Sequence, residues 1–153
     1  MIAVVQRVKN SSVVIDGKLH SETGNGFLIL LGVYVEDTVQ QAEILASKIS
    51  KLRIFEDDDG KMNLSPLQLI ESGKECEMMV VSQFTLCAEC KGQNRPSFIK
   101  AARPDTAVPL YEKFTQLLRD MGFTTKTGQF GADMKVSLLN DGPVTIILDT
   151  DKL

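Results

Sequence analysis

The chain has no tryptophan and a single histidine, His20, among 153 residues. A Ser-His-Asp or Cys-His device therefore has only one imidazole to draw on. Cysteine is scarce as well: Cys76, Cys87 and Cys90 are odd in number and too few for a disulfide framework, which fits a reducing compartment. No apolar run approaches the ~20 residues that span a bilayer. Met1–Arg7 lacks the basic start and long apolar stretch of a signal peptide. A cytoplasmic protein without membrane contact is expected. An excess of positive charge is missing too, with 17 basic residues against 20 acidic and a net charge of −3. That argues against a protein that coats nucleic acid non-specifically. It leaves room for one that grips only the end of an RNA through a local patch.

What is present suits one soluble domain spanning residues 1–153, with 43% hydrophobic and 24% charged residues. Met1 to Lys9 reads as a strand and Ser12 to Asp16 as a second. Asp16-Gly17 then makes a hairpin turn into Lys18 to Glu22. Phe27 to Val35 is almost entirely apolar and predicts a central strand buried on both faces. Thr38, with Gln41 three residues on, is a capping box opening a helix whose stripe is Val39, Ala42, Leu45, Ile49 and Leu52. Arg53 to Phe55 reads as a short strand, and Lys61 to Gly73 as irregular with a bend or helical turn at Ser65-Pro66. Cys76 to Leu86 is the longest strand-like run. Asp105 or Thr106 is expected to cap a second helix carrying Leu110, Tyr111, Phe114, Leu117, Leu118 and Met121, ended by Gly122. Phe123 to Thr127 is a further strand. The fold expected is α+β: an antiparallel-rich sheet with a barrel-like core and two main helices packed on it.

Three polar stretches invite a functional reading. Glu56-Asp57-Asp58-Asp59-Gly60 lacks the glycine and glutamate positions of an EF-hand loop and reads as a polar turn. Cys87-Ala88-Glu89-Cys90 would need every other Cys and His of the chain to complete a zinc site. It precedes a loop signal, whereas redox thiols sit at a helix N-terminus; incidental thiols, and no metal, are expected. Lys91 to Pro104 holds Lys91, Arg95, Lys100 and Arg103 without an acidic residue. It reads as a solvated basic loop or a phosphate-facing one, and Phe98 within it can stack on a base or pack.

The strand ending at Ser82-Gln83-Phe84-Thr85 turns polar where it finishes, a common way to deliver side chains to a site. Strand alternation puts Ser82 and Phe84 opposite Gln83 and Thr85, so a bulge or strand end is expected there. Asn140-Asp141-Gly142-Pro143-Val144-Thr145 lies between two apolar runs and reads as two strands with a tight reversal. Gly-Pro is unusual in an ordinary hairpin, because Pro cannot donate to the ladder. A rigid turn exposing backbone carbonyls would suit a binding site.

Ser82-Gln83-Phe84-Thr85-Leu86 together with Asn140–Thr145 closely resembles the D-aminoacyl-tRNA deacylases. Gly60-Lys61-Met62-Asn63-Leu64, Arg95-Pro96-Ser97-Phe98, Thr127–Met134 and the opening Gln6-Arg7-Val8 extend the likeness over nearly the whole chain. The resemblance implies hydrolysis of the ester between a D-amino acid, or glycine, and the terminal adenosine of tRNA. It implies a homodimer with two sites at the subunit interface and no cofactor. It also implies that Gly142-Pro143 is a cis pair reaching into the partner's pocket, where its carbonyls occupy the space an L side chain needs. By the same resemblance Ser82 and Gln83 line the pocket, Phe84 walls it, and Phe130 stands in the loop receiving the adenine. Arg7 is expected to brace the Gly-Pro loop, and Asn140 and Thr145 to hold its conformation.

Ester hydrolysis needs an activated oxygen nucleophile and stabilisation of the oxyanion. Nothing in the sequence ties His20 to Ser82 or Thr85. Oriented backbone N–H groups and the 2′-hydroxyl of the substrate are the expected means, with Thr85 as direct nucleophile the second choice. The alternative to an enzyme is a non-catalytic RNA 3′-end binding module that uses the Lys91–Arg103 loop.

Overall fold

The computed structural model describes Met1–Leu153. Its first strand, β1 (Ile2–Ile15), is one continuous element, not the two strands expected. The polar residues after Lys9 continue the ladder, with Asn10, Ser11 and Ser12 paired to Leu139, Leu138 and Ser137 near the other end of the chain. Ser11, buried, shares a 2.6 Å hydrogen bond with Thr23 on the neighbouring strand. The Asp16-Gly17 turn, with positive φ at both residues, leads into β2 (Lys18–Thr23). β3 (Gly26–Gly32) is buried except at the half-buried Leu30, and stops before Val35. Just beyond it the Asp37 carboxylate accepts from the Tyr34 amide at 2.6 Å and turns the chain.

Helix α1 (Val39–Ser50) has the capping box at Thr38 and Gln41, and buries Ala42, Leu45 and Ile49, leaving Val39 exposed. β4 (Phe55–Glu56) starts later than expected and pairs with β5 (Met62–Leu64), inside the stretch that reads as irregular. A second capping box, Ser65 with Gln68, opens the short α2 (Pro66–Glu71). β6 runs only from Glu77 to Ser82. α3 (Pro104–Asp120) begins at a proline with Arg103 as its cap, one turn-start earlier than Asp105 or Thr106 suggests. Proline at the first helical position supplies a preset φ and needs no donor. β7 (Thr125–Thr127) is followed by β8 (Lys135–Asp149).

β8 is the main correction. Asn140–Thr145 is no hairpin: both flanks pair antiparallel with β1, Asn140 opposite Val8 and Thr145 opposite Gln6. Asp141 to Val144 bulge out across from Arg7. A turn between apolar runs has one local signature whether its flanks pair with each other or with a shared third strand; only the pairing decides.

The sheet runs β2-β1-β3-β6-β7 with β8 also on β1, and is mixed: β3–β6 and β6–β7 are parallel, the β1 pairings antiparallel. β2 returns to β7, where Ser21 Oγ donates to the Thr127 carbonyl at 2.8 Å, so the sheet nearly closes on itself. Val8, Val13, Leu28, Met79 and Val81 fill the inside. The other face, through Val5, Ile29, Met78 and Val80, packs on α1 and α3. No helix is long and apolar enough to cross a membrane.

Candidate active site

Parallel strands β3, β6 and β7 end on the same side of the molecule, and that end carries most of the predicted pocket residues. Ser82 closes β6, paired with Leu31. The Gln83 amide donates to the Leu31 carbonyl at 2.8 Å, and the chain then tightens into a 3-10 turn, Phe84–Cys87. This is the strand end that the alternation of polar side chains requires. Gly32 makes it possible. A Cβ there would stand 2.9 Å from Ile2 Cγ2 and 3.1 Å from both the Gln83 carbonyl oxygen and Leu86 Cβ. Sequence reading passes over Gly32, since close approach leaves no local signal.

Gln83 Nε2 donates to Thr85 Oγ1. A hydroxyl that accepts from an amide is not activated by it. His20 does not serve either: its neighbour Ser21 faces inward to Met79 and Thr127, so His20 projects from the opposite, exposed face of β2. The amide N–H groups of Phe84 and Thr85, at the start of the turn, have no acceptor in the chain. Phe84 is 55% exposed and meets Phe98 edge-on at 5.0 Å, so Phe98 packs against the motif.

Phe130 reaches the same end by way of β7. The Val80 carbonyl accepts from both the Gly128 amide at 3.1 Å and the Tyr111 hydroxyl at 2.7 Å. The Phe130 ring then stands edge-on to Tyr111 at 6.1 Å. Tyr111, Gly128 and Phe130 border an open cleft of about 660 Å³ that also touches Thr127 and Arg119. Burial pushes the Tyr111 hydroxyl well above the usual phenol range, so it stays a donor. Neither the Val80 carbonyl nor the role of Tyr111 as its partner is legible in sequence.

Gly142-Pro143 is a cis pair and both residues are exposed. Asn140 Oδ1 accepts from the Val144 amide at 3.2 Å, and Asn140 Nδ2 donates to Thr145 Oγ1 at 3.3 Å, closing the base of the bulge. Arg7, 5% exposed, donates to the carbonyls of Asp141 at 3.0 Å and Ile54 at 2.6 Å. Lys9 adds a 3.3 Å ion pair to Asp141. Gly142 has φ +134, and a Cβ on it would stand 2.7 Å from Val144 Cγ2.

The structure thus forms two groups. Ser82, Gln83, Phe84, Thr85 and Phe130 share one end of the sheet; Asn140, Gly142, Pro143 and Thr145 belong to the bulge of β8, which Arg7 braces from β1. β1 and β3 separate them within one chain, three strand spacings or roughly 14 Å across the sheet. The thiols join neither group. Cys87 Sγ is buried against the Val33 carbonyl at 3.5 Å, Cys90 is exposed, and no three His, Cys, Asp or Glu side chains converge.

Residues 4–149 match the family model described as D-Tyr-tRNA(Tyr) deacylase. The chain is 52% identical to the D-aminoacyl-tRNA deacylase of Parabacteroides distasonis, covering 98% of this chain and 97% of that one. It is 50% identical to that of Thermotoga petrophila, over 100% and 99%. A solved structure titled c-Myc DNA Unwinding Element Binding Protein superposes with a TM-score of 0.85 at 40% identity, covering 97% and 98% of the two chains. A probable eukaryotic D-amino acid tRNA deacylase shares the fold, with a TM-score of 0.79 at 16% identity over 96% and 97%. Matched from end to end in sequence and fold, the chain belongs to the D-Tyr-tRNA deacylase family, hydrolases of the ester bond in D-aminoacyl-tRNA.

Proposed function

We propose that this protein frees tRNA from D-amino acids, working in the cytoplasm as a homodimer whose sites lie between subunits and need no metal or cofactor. The observation that carries the reading is the exposed, tightly braced Gly142-Pro143 bulge, which has no business with the pocket of its own chain. A second copy gives it one. β8 also leaves its outer edge unpaired over fifteen residues, with Leu139 56% and Ile147 67% exposed. Long apolar edges of this kind call for a cover.

In the completed site the terminal adenosine lies toward Phe130 and its ester at Ser82–Thr85. Water attacks the ester carbonyl, and the free N–H groups of Phe84 and Thr85 receive the oxyanion. The substrate's own 2′-hydroxyl orients the attacking water. Collapse of the intermediate returns the 3′-hydroxyl of the tRNA and releases the amino acid. The partner's Gly142 and Pro143 carbonyls fill the space of an L side chain. Chirality is judged by exclusion, so glycine, with nothing to exclude, is accepted too.

Incubation with D-tyrosyl-tRNA and L-tyrosyl-tRNA tests this directly. Release of D-tyrosine with the L ester spared is expected. Equal protection of both esters would instead identify a non-catalytic RNA-end module.

A further inference from the structure

Between the pocket motif and α3 the chain makes a small hairpin. Glu89 and Ser97 exchange main-chain hydrogen bonds of 2.9 and 3.0 Å, closing Cys90–Pro96 into a loop. The loop is fastened to the candidate site. Phe98, one residue past the closure, packs edge-on to Phe84 at 5.0 Å, and the Val35 amide donates to the Lys100 carbonyl at 3.0 Å.

Its charges are arranged unevenly. Lys100 pairs with Glu89 at 3.4 Å and is thereby neutralised. Lys91 and Arg95, both exposed at the tip, have no carboxylate partner, and no acidic residue lies between Glu89 and Asp105. Unpaired lysines occur elsewhere on the surface, but these two cations sit on a loop braced against the Phe84 motif. They serve no fold contact: neither side chain hydrogen-bonds within the protein. Arg95 is three residues from Phe98, so at most ~10 Å of chain separates it from the residue that packs on the motif.

We propose that the Glu89–Ser97 hairpin is a phosphate clamp, in which Lys91 and Arg95 hold the RNA backbone just upstream of the terminal adenosine. This rests on the reading of the site as one for aminoacylated RNA ends, and adds where the rest of that RNA runs. The short loop supplies two charges without making the whole surface basic. Non-specific RNA is therefore held weakly, and affinity comes only when an end also enters the pocket.

The test is the double variant Lys91→Glu/Arg95→Glu in the intact protein, assayed on D-tyrosyl-tRNA and on 3′-O-D-tyrosyl-adenosine, which has no upstream phosphate. A roughly tenfold or greater fall in kcat/KM on the tRNA is expected, carried by KM, with the adenosine ester unaffected. The plot of log affinity against log salt should flatten by about 1.5, the share of two phosphate contacts. Lys48→Glu/Lys51→Glu, the same charge change at the C-terminal end of α1, should leave the rates on both substrates unchanged. Equal losses on the two esters, or a loss matched by the α1 variant, would overturn the clamp. Binding of an RNA hairpin with a single-stranded 3′ end and no amino acid attached gives a readout independent of hydrolysis. There the unaltered protein should bind more tightly, and equal salt slopes for the two proteins reject the proposal. Hydrolysis absent in all proteins with the binding difference intact would count against the enzymatic reading alone.

Discussion

Arg7 and Asp141 meet at the neck of the Gly142-Pro143 bulge, the guanidinium Nε donating to the Asp141 carbonyl at 3.0 Å and standing 3.5 Å from its carboxylate. A second arm of the same guanidinium holds the Ile54 carbonyl at 2.6 Å, so one buried side chain ties the bulge to the stretch before β4. A planar fork can do this; a lysine ammonium is a single point of charge. Arg7→Lys should leave one carbonyl unsatisfied, at about 1–3 kcal/mol in urea denaturation. It should also raise hydrolysis of L-tyrosyl-tRNA relative to the D ester, as the bulge loosens. If stability falls and the D/L ratio stays put, Arg7 acts on the fold alone.

Gly142 permits no side chain, because φ is +134 and Val144 crowds the Cβ position. Gly142→Ala should cut activity by about a hundredfold through a displacement of an ångström or so. Its effect should fall on the partner's pocket. Heterodimers pairing a Gly142→Ala chain with a Gly32→Val chain, purified through two tags, are expected to keep one working site and about half the wild-type rate. A rate near zero, or full activity in a monomer, contradicts sites built between subunits.

Thr85→Ala should stay within about tenfold of the parent, since the hydroxyl accepts from Gln83 and has no base beside it. Removal of a true nucleophile costs about 10⁴-fold or more. Single-turnover rates on D-tyrosyl-tRNA decide between the two.

Gly32→Val should harm catalysis more than folding. The added atoms push on Gln83 and Leu86 and shift the 3-10 turn that presents the Phe84 and Thr85 amides. Overpacking of this kind costs about 1–3 kcal/mol. The rate should fall by far more than the residual folded fraction explains, measured by circular dichroism and initial rates on one sample.

Burial pushes the Cys87 thiol up to about 11 and Cys76 up to about 12. Both are neutral at physiological pH, so iodoacetamide should label Cys90 alone in the native protein. The folded state holds these protons more tightly than the unfolded chain does. Their contribution to stability is complete below about 9 and is lost as pH rises toward 11 and 12, because the unfolded chain ionises first. Melting temperature against pH should show no dependence on Cys76 or Cys87 near neutrality and a decline above 9. Cys87→Ala and Cys90→Ala should keep activity; loss in both would revive a thiol or metal role.

Much of the architecture is local and was readable. Thr38 with Gln41 caps α1, Asp16-Gly17 turns the first hairpin, and the stripe Leu110, Tyr111, Phe114, Leu118 faces the core from α3. Each depends on neighbours within a few residues, where propensity and periodicity act. The polar end of the Ser82 strand and the oddity of Gly-Pro also belong to this level. Only the folded chain decided that Asn140–Thr145 is a bulge and not a hairpin, that Val80 anchors Phe130, and that Arg7 spans Ile54 and Asp141. Those contacts join residues far apart in the chain, and a strand's side-chain alternation says which face is buried without saying which strand lies alongside.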